Sequence, residues 1–69
     1  MIIYKGIFAK LKAAGYTTTR LKKEKLIPES TLSRIRAGEM VNLSTIDTIC
    51  RLTKLPIFEI IEYVEDDQN

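Results

Sequence analysis

The chain has 69 residues, with 11 Lys and Arg against 9 Asp and Glu, no His, no Trp and a single Cys. A chain of that length has room for one domain, and one that small buries only roughly 60% of its unfolded surface, so a single apolar core must hold it. Without His there is no Ser-His-Asp or Cys-His arrangement and no histidine metal site, and Cys50 alone closes no internal disulfide. No apolar run approaches the ~20 residues that span a bilayer, Met1 to Lys5 is too short for a signal peptide, and the three glycines form no phosphate-cradling loop. These absences argue for a cytoplasmic binding protein and against an enzyme, and imply no cofactor, no metal, no membrane partner and no small-molecule ligand.

Periodicity predicts five short helices. The first runs from about Tyr4 to Ala14, with Tyr4, Ile7, Phe8, Leu11 and Ala14 on one face and Gly15 as its left-handed stop. Thr17 is a good N-cap for a second helix through Glu24, whose one clear core residue is Leu21. A turn around Lys25-Leu26-Ile27 leads to a third helix opening at Pro28, a residue suited to a first-turn position.

At 100° per residue, Pro28, Thr31, Leu32 and Ile35 share an inner arc of about 100°. Glu29, Ser30, Ser33, Arg34, Arg36 and Ala37 fill the opposing arc of about 160°, and Gly38 stops the helix. A fourth helix, from Asn42 or Ser44, carries Leu43, Ile46, Ile49, Cys50 and Thr53 on one stripe. After Pro56 a fifth segment, Ile57 to about Val64, carries Ile57, Ile60, Ile61 and Val64, and the acidic tail 65–69 is too polar to pack. Whether Met1 to Ile3 forms a strand is left open by the pattern.

Charge is distributed unevenly. Residues 1–36 hold nine basic side chains against two acids, a net +7, whereas residues 37–69 hold two against seven, a net −5. This polarity suits a polyanion on one face, although attraction between the two halves would also account for it.

Residues 17–38, a short helix, a tight connection and a second helix with a polar, arginine-bearing outer face, form a helix-turn-helix pattern. A helix fits the major groove, where residues near its N-terminus reach base edges while the preceding helix lies across the backbone. The run Pro28-Glu29-Ser30-Thr31-Leu32-Ser33-Arg34-Ile35-Arg36-Ala37-Gly38 resembles the recognition helix of the Cro/repressor-type helix-turn-helix proteins. Residues 42–52 look like the fourth helix of that family's domain and Ile60-Ile61-Glu62-Tyr63 resembles its fifth, so the likeness covers about residues 4–64.

The resemblance implies an all-α, compact five-helix, lambda-repressor-like DNA-binding domain over residues 1–69. It also implies sequence-specific binding to double-stranded DNA in transcription regulation. It assigns Glu29, Ser30, Ser33 and Arg34 to base edges, Arg34 first among them because its fork can bond a guanine bidentately. Thr18, Thr19, Lys22, Lys23, Arg36, Ala37 and Asn42 fall to the phosphate backbone. Three positions depart from the family pattern and bear on the turn: Lys22 stands where a small residue is usual, Leu26 where the turn glycine is usual, and Pro28 where a serine cap is usual.

Glu29 has two readings. A carboxylate at a helix N-terminus favours the helix dipole, and it can also accept a hydrogen bond from a cytosine amino group. Lys22, Lys23 and Lys25 read as backbone-steering charges or as ordinary surface lysines. Cys50, on an apolar stripe, reads as a small buried hydrophobe.

One unit this short reads about five base pairs, so useful specificity calls for two copies on a two-fold site. Ile2, Ile3, Phe58, Tyr63 and Val64 are the expected homodimer interface, being more apolar surface than a monomer this small needs. The competing reading is a protein-interaction module, adaptor or antitoxin-like, that keeps the fold without reading DNA. Such a module would depend on Phe58 or Tyr63 where a regulator depends on Arg34 or Ser33.

Overall fold

The structure, a computed structural model, describes residues 1–65. Four α-helices run in chain order: α1 (Ile7–Ala13), α2 (Thr18–Lys23), α3 (Glu29–Arg36) and α4 (Leu43–Thr53). Two short strands, β1 (Ile2–Tyr4) and β2 (Ile61–Tyr63), flank them, and a 3₁₀ turn at Ile57–Glu59 joins α4 to β2.

The expectation of an all-α, five-helix domain is therefore corrected at both ends. Residues 57–64 form a single 3₁₀ turn and a strand, and Tyr4 lies in β1 instead of opening the first helix. The stripe Ile57, Ile60, Ile61 and Val64 fits a helix over so few residues, but Ile, Tyr and Val equally favour a strand, and a strand needs a partner. Ile2-Ile3-Tyr4 supplies it: the pair is antiparallel with Ile2 opposite Tyr63, Ile3 opposite Glu62 and Tyr4 opposite Ile61. Met1 and Val64 extend the ladder by the Val64 amide, which donates to the Met1 carbonyl at 2.8 Å. The acidic tail of the sequence reading lies, from residue 66 onward, outside the described residues.

Each helix contributes to one core. Ile7 and Leu11 from α1, Leu21 from α2, Ile27 from the turn, Leu32 and Ile35 from α3, Ile49 from α4 and Ile60 before β2 form one buried cluster. No polar or charged residue is buried among the described residues. The inner arc of α3 is as the periodicity predicts at Leu32 and Ile35, while Pro28 is exposed because it sits before the helix as its N-cap. Ala14 is exposed, and so are two other residues assigned to apolar stripes, Leu43 and Ile57. Leu43 opens α4 beyond the edge of the core, whereas Leu52, about two and a half turns further along the helix, packs against the core.

The connections explain how such short helices stop where they do. Three of them end in the same cap, in which the second residue past the cap donates back to the third-last helical carbonyl and its predecessor to the second-last. These bonds are Tyr16 to Leu11 with Gly15 to Lys12, Leu26 to Leu21 with Lys25 to Lys22, and Glu39 to Arg34 with Gly38 to Ile35. The geometry requires a left-handed residue at the middle position. Gly15 and Gly38 supply it after α1 and α3, but after α2 the residue is Lys25, with φ 56°. The left-handed position of the helix-turn-helix is thus Lys25, and Leu26, the residue read against the family's turn glycine, packs against the core instead.

Candidate nucleic-acid interface

The helix-turn-helix is built from the inside. Thr17 caps α2, its hydroxyl oxygen accepting from the Arg20 amide at 3.2 Å as its residue type predicts. Leu21, Ile27 and Leu32, each 1% exposed or less, pin α2, the turn and α3 to the same cluster. Fully burying a side chain of this kind stabilises by roughly 1.5–3 kcal/mol, so α3 is held along its inner face and its outer arc is left free.

On that arc Glu29, Ser30, Ser33, Arg34, Arg36 and Ala37 are all exposed. Glu29 and Ser33 stand one turn apart on one row, and Ser30 and Arg34 one turn apart on the next, so the four residues assigned to bases share a single surface. Thr19, Lys22, Lys23 and Asn42 are exposed as well, and Thr18 is partly buried at the start of α2. Asn42 caps α4 through its backbone with no side-chain capping bond, which leaves its amide side chain available beside Arg34. A shallow polar groove between α3 and the start of α4 is lined by Thr31, Arg34, Asn42 and Thr45 together with Met40 and Val41. Thr31 and Thr45 were not among the expected contacts. Thr31 falls on the inner arc by periodicity, and only the approach of α4 brings both threonines beside Arg34.

Ion pairing sorts the basic residues. Both acids of the basic half are neutralised: Glu24 by Arg20 at 2.8 Å and Glu29 by Lys22 at 3.0 Å. Arg20 is further occupied by the Gly15 carbonyl and by the Tyr16 ring, 4.4 Å from its guanidinium. Glu24 beside it holds the Arg20 guanidinium above its ordinary value. Lys5 and Lys10 turn away from the interface and donate to the Phe58 and Glu59 carbonyls. Lys10–Glu59, at 3.6 Å, joins the basic and acidic halves, whereas the other three ion pairs among the described residues stay within one half. Among the described residues, attraction between the halves therefore amounts to that one pair.

Lys12, Lys23, Lys25, Arg34 and Arg36 carry no ion pair among the described residues. Arg36 is the partial exception to a free basic face, since its guanidinium lies 5.2 Å from the Phe8 ring centre and so leans toward α1. The surface is positive around an α3 that presents hydroxyls and a guanidinium, a combination suited to phosphates at its margin and base edges at its centre.

A family model described as the Cro/C1-type HTH DNA-binding domain matches residues 9–66. The chain belongs to that family. Among curated proteins and solved structures, none matches it. The Cro/C1-type match runs from within α1 through β2, so it covers the interface and all of the buried core cluster except Ile7. It fits a helical domain of four α-helices with a small two-stranded sheet. No helix among the described residues is long and apolar enough to cross a membrane.

The residues expected to form a dimer interface do not lie on one face. Ile2 and Tyr63 are cross-strand partners, and Ile3 pairs with Glu62 on the opposite face of the sheet. Phe58 and Tyr63 are exposed, while Ile2, Ile3 and Val64 are half-buried by the pairing within the chain. The face that carries Ile2 lines an apolar groove with Tyr4, Met40, Val41, Leu43, Ile46 and Ile61. Met40 and Leu43, at 62% and 77% exposure, are its outermost residues and were not expected there.

Proposed function

We propose that this Cro/C1-type protein is a sequence-specific double-stranded DNA-binding transcriptional regulator that works as a homodimer in the cytoplasm. Its α3 enters the major groove of an operator. Arg34, Ser30, Ser33 and Glu29 face base edges, and Thr18, Thr19, Lys22, Lys23, Arg36, the Ala37 amide and Asn42 hold the backbone on either side. The observation that carries this reading is the outer arc of α3: its base-facing side chains are exposed together on a helix fixed by Leu32 and Ile35, beside acids already neutralised.

Two copies supply the two half-sites that a recognition surface this small requires. The Ile2–Tyr63 face and the exposed Phe58 support the pairing, with Ile3 on the opposite sheet face and Val64 at the strand end contributing less, and the groove reaching Met40 and Leu43 adds apolar area to it. Arg34→Ala tests the readout. Losing a bidentate base contact removes about 1–3 kcal/mol of discrimination, so the variant binds its operator at least about tenfold more weakly and tolerates change at one base pair of each half-site. Unaltered affinity and specificity in that variant would remove Arg34 from the interface. Sedimentation at high micromolar concentration gives a dimeric mass if the pairing is right and a monomeric one if it is not.

The adaptor reading draws on the same apolar groove. It is favoured if Phe58→Ala or Tyr63→Ala abolishes a protein interaction while no DNA is bound.

A further inference from the structure

Lys22 and Glu29 face one another across the turn, Nζ to Oε1 at 3.0 Å, and together with Lys25, Ile27 and Pro28 they line a shallow depression at the head of α3. We infer that this pair is a single recognition element, in which Lys22 positions the Glu29 carboxylate to accept a hydrogen bond from a cytosine amino group. The inference rests on the DNA-reading function proposed above and assigns the base read at one position of its half-site.

Three observations carry it. Glu29 is the first residue of α3, the end of the helix that reaches base edges, and its side chain is 58% exposed. An ionised carboxylate accepts only, with about four lone-pair directions over its two oxygens, so one contact at Oε1 leaves Oε2 open to a donor. In the major groove the cytosine edge presents such a donor, its N4 amino group, and acidic side chains accept from it.

A lone carboxylate at this place would be repelled by the phosphates on both walls of the groove. Lys22 removes that obstacle. It sits on α2, the helix that lies across the backbone, and its ammonium has three donors, of which Glu29 takes one. The other two remain available to phosphate oxygens. A lysine where a small residue is usual in the second helix and an acid at the front of the recognition helix are thus complementary. Pro28, the N-cap of α3, offers no side-chain oxygen to the helix end, and an acid in the first turn, Glu29, complements the helix dipole there.

The test compares binding-site selections from random duplex DNA by the full chain, by Glu29→Gln and by Lys22→Met, followed by affinities for the selected sites. The expected result is a cytosine enriched at one position of each half-site by the unaltered chain. Glu29→Gln moves that preference to adenine, whose N6 and N7 suit an amide, and leaves the other positions alone. Lys22→Met, which keeps the aliphatic stem and loses the charge, weakens binding at the selected site about tenfold or more. In the Glu29→Gln background the same change costs severalfold less than in the unaltered chain, because a neutral amide needs no screening and only the phosphate contact of Lys22 is lost. A purely structural ion pair would leave base preference untouched in both variants, and that outcome overturns the inference while leaving the regulator reading in place. If the unaltered chain enriches no sequence, the regulator reading fails and this one with it. Far-ultraviolet circular dichroism of both variants confirms that the fold is retained, since both side chains are about half exposed.

Discussion

Lys25 gives the sharpest test of how the helix-turn-helix is assembled. It holds the left-handed position of the α2 cap with φ 56°, where Gly15 and Gly38 serve the equivalent caps of α1 and α3. A side chain in that conformation brings Cβ close to the following carbonyl and costs roughly 1–2 kcal/mol, which glycine does not incur. Replacing Lys25 with Gly removes this strain but gives the unfolded chain more freedom, a loss of about 0.5–1 kcal/mol. The lysine side chain itself is exposed and has no ion pair among the described residues, so little else changes. The net expectation for Lys25→Gly is a gain of about 0.5–1 kcal/mol, which in a domain of this size raises Tm by about 2–8 °C. Lys25→Ala is the control, since it removes the same charge and retains the strain, and its Tm stays close to that of the unaltered chain. Thermal unfolding followed by circular dichroism reads both. A glycine variant no more stable than the alanine variant would refute the left-handed cap at Lys25.

Leu32→Ala removes a fully buried side chain of α3 from the core. It should cost about 2–5 kcal/mol, enough to unfold much of a domain this small at 37 °C, and denaturant titration measures it. Alkaline pH is expected to destabilise the fold. Burial pushes the Tyr4 hydroxyl up, with the Val41 backbone opposing, and burial followed by the Asp47 charge pushes the Cys50 thiol up. Both groups therefore ionise more readily in the unfolded chain. Stability is fully present below the ordinary thiol range and declines as pH rises through that range and then through the phenol range. Urea midpoints at about pH 7 and pH 10.5 should fall in that order, and a higher midpoint at the alkaline end would contradict the assignment. By the same burial, Cys50 is expected to react with a thiol reagent more slowly in the native protein than in urea.

The parts of the fold that depend on neighbours in sequence were legible from the sequence. Leu32 and Ile35 on the inner arc of α3, the Thr17 cap, and the stops at Gly15 and Gly38 follow from periodicity and local conformational preference, and the structure places them as expected. The fifth helix failed because its decisive contact is with residues some sixty positions away. Ile2-Ile3-Tyr4 pairs with Ile61-Glu62-Tyr63, and no local pattern distinguishes three strand residues from three helical ones. The turn was misread by one residue for a related reason: the left-handed position tolerates a lysine at modest cost, so the residue type gives no signal there.

The candidate interface divides along the same line. Ser30, Ser33 and Arg34 could be placed on one arc from spacing alone. Thr31 and Thr45 join Arg34 only through the packing of α4 on α3, and Met40 and Leu43 become one apolar edge only once β1 is laid beside them. In the sequence Lys22 stands out as a departure from the family pattern and Glu29 as an acid at a helix head with two readings. Their pairing depends on how α2 and α3 are set by the turn, which periodicity does not specify.

The central claim is sequence-specific DNA binding through α3, and selection from random duplex DNA followed by a salt titration of the winning site tests it most directly. Lys22 is already neutralised by Glu29 and releases little counterion, so with Lys23 and Arg36 counted in each of two copies the slope of log affinity against log salt is expected to be about −3 to −4, roughly a hundredfold weakening between about 50 and 200 mM salt. The account expects an enriched, pseudo-palindromic site bound with that slope. A steep slope with no enriched sequence would reduce the protein to a basic surface without readout, and no binding at the lowest salt would contradict the account outright.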